Sequence, residues 1–243
     1  MTISIRQTTL SVESIGDTKK MIVESRWHNG LMGEGMKENI CYIVGAGEPC
    51  KMDFEPQQGD YVIAADGGLK YLEEAGITAD LVVGDFDSLQ EKPTHANVLT
   101  FNQEKDETDS FLAATQGIEK GYKYFHLYGC TGGRTDHTFA NIQLLAYLSK
   151  REKQGFLFDD KCRTTAITDT SITLPCYDSG YVSVFSYSEK AEGVCLEGLK
   201  YQLDNAVLTN DCPLGVSNEF IGEKSKITVR EGTLIIVYPR KGI

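Results

Sequence analysis

Several short apolar runs in the first two-thirds of this chain break off into glycine and aspartate, and that recurrence constrains the fold more than any bulk property. Tyr61–Ala65 runs into Asp66-Gly67-Gly68, and Leu81–Val83 into Gly84-Asp85-Phe86-Asp87. Val98–Phe101 is followed by Asp106 and Asp109, and Tyr124–Tyr128 by Gly129-Cys130-Thr131-Gly132-Gly133-Arg134 with Asp136 beyond. An earlier run, Ile40–Val44, ends in Gly45-Ala46-Gly47. Short continuous apolar runs bounded by turn residues predict strands buried on both faces. Between them lie segments of helical character: Leu69–Ala75 with Leu69, Leu72 and Ala75 in step, Asp109–Lys120 with Thr108 as its cap, and His137–Arg151. Strand alternating with helix predicts an α/β domain with a mainly parallel, layered sheet over residues 36–160.

Beyond about residue 160 the pattern changes. Thr165–Thr168, Ser171–Leu174, Tyr181–Ser186, Val194–Leu196, Leu199–Leu203, Ile227–Arg230 and Thr233–Tyr238 are short and rich in β-branched and aromatic residues, with turn residues between them. They predict an all-β, antiparallel sandwich domain over residues 161–243. Residues 1–35 carry Gly30, Gly33 and Gly35 and no sustained apolar period. They read as a leader or extension of doubtful order, with a short ordered arm as the alternative.

Charge and cysteine content exclude several classes. The net charge is −11 and the basic residues are scattered, so a nucleic-acid partner would be repelled. The seven cysteines are odd in number and include no CxxC pair, which argues against zinc and for reduced thiols in a cytoplasmic protein. No apolar run approaches the roughly 18 residues of a membrane span, and the N-terminus lacks the apolar core of a secretory signal.

In a parallel α/β sheet, ligands bind beyond the carboxyl ends of the strands. Asp66, Asp85, Asp87, Asp106, Asp109 and Asp136 would therefore converge on one rim. Carboxylates that close repel one another unless a cation lies between them, and oxygen donors without histidine or thiolate favour Mg²⁺ or Mn²⁺. Each aspartate alone reads equally well as a helix cap. In the Gly129–Arg134 turn, adjacent glycines leave backbone N–H groups open to an anion at a helix start, and Arg134 has the geometry of a phosphate clamp. Its alternative partner is Asp136. His137 reads either as a phosphate contact or as part of the helix cap, and His126, in mid-strand, as a core residue. Gly45-Ala46-Gly47 reads as a tight turn.

These strings resemble the thiamine pyrophosphokinase family. The resemblance is carried by Ala65-Asp66-Gly67-Gly68, Gly84-Asp85-Phe86-Asp87-Ser88, Lys105-Asp106-Glu107-Thr108-Asp109 and Gly132-Gly133-Arg134-Thr135-Asp136-His137 with Asn141 beyond. Gly198-Leu199-Lys200-Tyr201-Gln202-Leu203 and Gly215-Val216-Ser217-Asn218-Glu219 extend it into the second half. It implies a reaction of ATP with thiamine that gives thiamine diphosphate and AMP, in a homodimer whose active sites each use the α/β domain of one subunit and the sandwich of the other. It implies that Asp85, Asp87 and Asp109, with Asp66 beside them, hold Mg²⁺ on the triphosphate. Gly67, Gly132, Gly133, Arg134, Asp136 and His137 would arrange ATP, while Lys105, Thr108, Ser217 and Asn218 would face thiamine. Lys105 stands where some relatives have glutamine, and the nearest aromatic residue after Ser217-Asn218 is Phe220. A general base is left open between Asp87 and Asp109. The alternatives are a metal-dependent phosphohydrolase of small esters, or a non-catalytic thiamine- or nucleotide-binding regulator.

Overall fold

The computed structural model describes residues 22–24 (backbone only), 38–84, 97–100 and 107–240. In chain order the elements are β1 (Ile22–Glu24), β2 (Ile40–Val44), β3 (Tyr61–Ala65), α1 (Gly68–Glu74), β4 (Leu81–Gly84), β5 (Val98–Thr100), α2 (Asp109–Glu119), β6 (Tyr124–Tyr128), α3 (Thr135–Ser149) and β7 (Gln154–Phe158). The β-rich remainder comprises β8 (Cys162–Thr168), β9 (Ser171–Leu174), β10 (Tyr181–Ser186), β11 (Lys190–Glu197), β12 (Leu203–Thr209), β13 (Gly215–Glu219), β14 (Ser225–Thr228) and β15 (Thr233–Pro239).

A mixed sheet of ten strands runs in the order β13-β10-β15-β8-β7-β6-β2-β3-β4-β5. From β7 through β5 every pairing is parallel; from β7 to β8 and beyond it is antiparallel. Thus β8, β15, β10 and β13 from the second half of the chain extend the sheet of the first half. The expected division near residue 160 falls on the turn between β7 and β8, where Asp159 Oδ1 accepts from Lys161 N and Cys162 N, both at 2.6 Å. The other strands form a second sheet, β1-β9-β14-β11-β12. In it Ile22–Glu24, which lies inside the expected leader, pairs in parallel with Ser171–Thr173.

The burial of β2, β3 and β4 explains their near-continuous apolar sequence, because both faces are covered. Alternate side chains of β2 enter different cores. Cys41 and Ile43 pack with Ala113 and Ala114 of α2 and Leu144, Leu145 and Leu148 of α3. Tyr42 and Val44 belong with Leu72 of α1 to the opposite core, which continues through Ile172, Val194 and Ile227 of the second sheet. Gly68 permits the close seating of α1: a Cβ there would lie 1.9 Å from the Val44 carbonyl oxygen. His126, expected as a core residue, is only half-buried, among the rings of Tyr42, Phe156 and Phe158.

Some expected elements differ. The expected strand Leu199–Leu203 is a turn in which Leu199 makes one isolated bridge to Phe220, and the strand is Leu203–Thr209. The backbone of Tyr201 bonds to the Asn218 side chain instead of to a neighbouring strand. Helix α3 opens at Thr135, two residues before the expected start, so His137 is its third residue. Among the described residues no helix is long and apolar enough to cross a membrane.

Candidate active site at the carboxyl rim of the sheet

Strand order reverses between β2 and β6. From β2 the chain proceeds outward through β3, β4 and β5; from β6 it proceeds the other way into β7. Such a switch point opens a crevice beyond the strand ends. Both strands leave it through glycine-rich turns that continue to pair past the sheet. Gly45 N donates to Tyr128 O at 2.8 Å, Gly47 N to Gly129 O at 2.7 Å, and Glu48 N to Thr131 O at 2.8 Å. The phenol of Tyr71, on α1, donates to Gly47 O at 2.9 Å and braces the first turn from below.

The second turn takes its shape from glycine. Gly132 and Gly133 both have positive φ, 72° and 58°, a region that costs L-residues strain. A Cβ on Gly132 would also lie 2.5 Å from Cδ of Glu48. Gly133 N donates to Glu48 Oε1 at 3.2 Å, so an exposed carboxylate engages the backbone donor that the sequence suggests for a phosphate. Glu48 carried no signal in the sequence, because nothing in its local pattern separates it from any other surface glutamate.

Helix α3 follows at once, with Arg134 as an extended N-cap residue whose side chain makes no cap bond. Its Nε instead donates to Asp136 Oδ1 at 3.2 Å and its Nη2 to Asp136 Oδ2 at 2.6 Å. That bidentate hydrogen bond outweighs a small desolvation and, with the attraction of Arg134 and His137, holds the Asp136 carboxyl at about 2. Both side chains are exposed, as is His137. The pair is the alternative reading of Arg134. A guanidinium has five N–H donors, so the remainder stay open to phosphate oxygens.

On the other side of the switch point, Asp66 directly follows β3 with φ of 52°, a left-handed conformation that aspartate tolerates. Its N–H donates to Val83 O at 2.7 Å, which ties the end of β3 to β4. Gly67 is the N-cap of α1. Thr108 caps α2 as expected, its Oγ1 accepting from Phe111 N at 3.3 Å, and Asp109 lies in the first turn of that helix. Strands β3, β4 and β5 are parallel neighbours, with Ala65 opposite Val83 and Gly84 opposite Thr100. Their carboxyl ends therefore share one rim, and Asp85 and Asp87 follow Gly84 in the chain. Asp85, Asp87, Lys105 and Asp106 lie outside the described residues. Among the described residues no three His, Cys, Asp or Glu side chains gather as a metal site. The donors that the sequence places at this rim are all carboxylate oxygens, which fits a hard divalent cation.

Ser217 and Asn218 are elsewhere. They lie on β13, at the opposite edge of the ten-stranded sheet from β5. Ser217 is exposed with φ of 58°, and its N–H donates to Ser183 Oγ at 3.1 Å. Asn218 is 3% exposed; its Oδ1 accepts from Tyr201 N and Glu219 N, and its Nδ2 donates to Tyr201 O. Lys200 reaches Glu219 at 2.7 Å, so the two motifs of the second half are joined to each other. Phe220 is buried and stacks on Tyr177 with ring centroids 4.6 Å apart, whereas Tyr201, bonded to Asn218, and Tyr181, opposite Glu219, are 58% and 67% exposed.

Comparison with known proteins bears on both halves. Residues 55–157 match the family description "Thiamin pyrophosphokinase, catalytic domain", and residues 169–234 match "Thiamin pyrophosphokinase, vitamin B1 binding domain". The chain is 32% identical over 182 residues to a thiamine pyrophosphokinase of Bacillus subtilis (strain 168), a match covering 72% of this chain and 85% of that relative. A crystal structure of thiamine pyrophosphokinase from Bacillus subtilis superposes with a TM-score of 0.72 at 28% identity, covering 84% of this chain and 100% of that one. One from Geobacillus thermodenitrificans gives 0.73 at 29% identity, covering 84% and 98%. The first family match takes in the carboxyl rim with Asp66, Asp109 and the Gly129–Arg134 turn, the second takes in β13, and by this agreement of sequence and fold the chain belongs to the thiamine pyrophosphokinase family.

Proposed function

We propose that this protein transfers the pyrophosphoryl group of ATP to the hydroxyl of thiamine, giving thiamine diphosphate and AMP. The observation that carries this reading is the pair of joined glycine turns at the β2/β6 switch point, in a chain whose halves match the catalytic and vitamin-binding domains of one family. The thiamine oxygen attacks the β-phosphorus, the bond from that phosphorus to the oxygen shared with the α-phosphate breaks so that AMP leaves with that oxygen, and the hydroxyl proton passes to solvent. Catalysis of such a transfer is positioning and charge stabilisation rather than covalent chemistry.

The chain's residues take these parts. The Gly132 amide, the Gly133 amide once phosphate displaces the Glu48 carboxylate from it, and the open donors of Arg134 bind phosphate oxygens, with Asp136 orienting the guanidinium. His137 and Gly67 complete the ATP side. Asp85, Asp87, Asp109 and Asp66 hold Mg²⁺, which when bound neutralises charge on the polyphosphate. Lys105 and Thr108 approach the acceptor hydroxyl, and Ser217 meets the pyrimidine end of thiamine with Asn218 behind it.

A homodimer is supported by the distance between these groups. Seven strand spacings separate β13 from β3, roughly 34 Å at about 4.8 Å each, far more than one thiamine spans. A second copy supplying its own β13 edge closes that gap, and the uncovered side chains of Tyr181, Leu214 and Val216 around β13 suit such a contact. In this reading residues 36–160 are the catalytic α/β domain, and residues 161–243 a sandwich that binds thiamine and dimerises. A cytoplasmic location is supported by seven free thiols.

Incubation with Mg-ATP and thiamine, with separation of the nucleotides, tests the reading. AMP formed in step with thiamine diphosphate is expected, and Asp85→Asn should lower turnover by orders of magnitude. ADP as the product, or phosphate release that ignores thiamine, would overturn it.

A further inference from the structure

Two buried polar side chains beside the candidate site have no part in the chemistry above. Ser110, in the first turn of α2, is 8% exposed, and Asn141, midway along α3, is 4% exposed. Ser110 Oγ donates to Asn141 Oδ1 at 2.7 Å, and Asn141 Nδ2 donates to Cys130 O at 2.8 Å. Because the single hydroxyl proton of Ser110 goes to Asn141, the 3.4 Å contact between Thr108 Oγ1 and Ser110 Oγ has Thr108 as its donor. The bonds thus run in one direction, from Thr108 through Ser110 and Asn141 to the carbonyl of Cys130.

The ends of this chain of bonds are the two halves of the carboxyl rim. Thr108 and Ser110 bracket Asp109. Cys130 stands in the turn that carries Gly132, Gly133 and Arg134. Asparagine is a poor choice for a helix interior, and Asn141 lies one turn before Leu144 and Leu145, which are buried against the sheet. An apolar side chain there would bury surface without needing two partners. The amide gives something a leucine cannot: directional bonds that fix α2 against the turn, where apolar packing alone permits sliding.

We propose that Ser110 and Asn141 are positioning residues, a relay that sets Asp109 on α2 in register with the phosphate-binding turn after β6. The inference rests on the functional reading above and concerns the same site. Asp109 and the glycine turn belong to different β-α units, and this relay couples them through side chains. Loss of the Ser110 hydroxyl removes one arm of the relay, leaves α3 intact, and touches no substrate.

Ser110→Ala is the test, with Asn141→Ala as the second variant. The relay requires kcat to fall by about tenfold to a hundredfold, as sub-ångström misplacement of reacting groups does. The Mg²⁺ concentration for half-maximal rate should rise severalfold, while KM for thiamine stays within about twofold. Amide hydrogen exchange across residues 129–133 should accelerate in Ser110→Ala, although the substitution is on another helix. Unchanged kcat and Mg²⁺ dependence in a folded Ser110→Ala protein, or faster exchange confined to α2, would overturn the relay. If the unsubstituted protein forms no AMP, the functional reading fails, and exchange at residues 129–133 still decides the relay.

Discussion

Asn218 and Tyr201, 17 residues apart, are joined by a two-way bond: the Asn218 amide accepts from Tyr201 N–H at 2.9 Å and donates to Tyr201 C=O at 2.6 Å. This one side chain completes the backbone bonding of a turn that otherwise meets its neighbour through the isolated Leu199–Phe220 bridge and the bond from Lys200 N to Glu219 O. Asn218→Ala leaves both Tyr201 groups and the Glu219 N–H without that partner, at a cost of about 2–3 kcal/mol. Urea denaturation should show the loss. Because Asn218 directly follows Ser217, KM for thiamine should rise while KM for ATP does not. An unshifted midpoint would mean that water replaces the amide.

Gly68→Ala sets helix propensity against packing. Alanine is favoured over glycine in a helix by about 1 kcal/mol. The added methyl, however, would lie 1.9 Å from the Val44 carbonyl oxygen and 2.5 Å from its carbon, backbone that cannot rotate aside. Overpacking of this kind costs about 3 kcal/mol, so the clash wins and the variant should melt lower. A higher melting midpoint would show that α1 can lift off β2 without penalty.

The sequence reveals an element where the protein covers both of its faces. Ile40–Val44 and Tyr61–Ala65 are read to the residue because burial on both sides makes their apolar runs continuous. Thr108 is legible for a local reason, since a hydroxyl before a helix has one obvious use. Strand β12 escapes because it is an edge: Asp204, Asn205 and Val207 are exposed and the segment shows no alternation. That β8 pairs with β7 and carries the sheet into the second half is a matter of register, which no residue pattern encodes. At the site, aspartates at strand ends announce themselves. Asn141 stands in the motif that carries the resemblance, but its bond to Ser110 is not legible, because a hydrogen bond spanning 31 residues leaves no periodic trace.

The ion pair of Arg134 and Asp136 gives a direct electrostatic test. The Arg134 hydrogen bond is the main cause of the low Asp136 carboxyl, at about 2. In Arg134→Gln that carboxyl should titrate back toward its ordinary value of about 3.9, read by carbon-13 NMR of the side-chain carboxylate. Because the pair is exposed, the melting midpoint should scarcely move. KM for ATP should rise as phosphate donors are lost. A carboxyl that still titrates near 2 would assign its depression to the helix N-terminus instead.

The buried guanidinium of Arg240 fixes the acid limb of stability. It bonds to Asp53 and to the carbonyls of Lys51 and Asp159, and it lies near the faces of Tyr128 and Phe158. Burial pushes the Asp53 carboxyl up, but the hydrogen bonds and charge of Arg240 and the bond from Tyr128 outweigh it and leave it lowered. A carboxyl lowered by folding stabilises the protein at every pH above its unfolded value, about 3.9, and loses that contribution as pH falls through its folded value. Asp53→Asn should therefore be less stable than the parent protein at neutral pH. The gap should stay constant down to about pH 5 and shrink below about pH 4 as the parent's carboxyl takes up a proton. The difference between the two proteins is the quantity to measure, since the other carboxylates of this acidic chain titrate alike in both. A gap in urea midpoints that stays the same from neutral pH to about pH 2 would show that the aspartate contributes through shape and not charge.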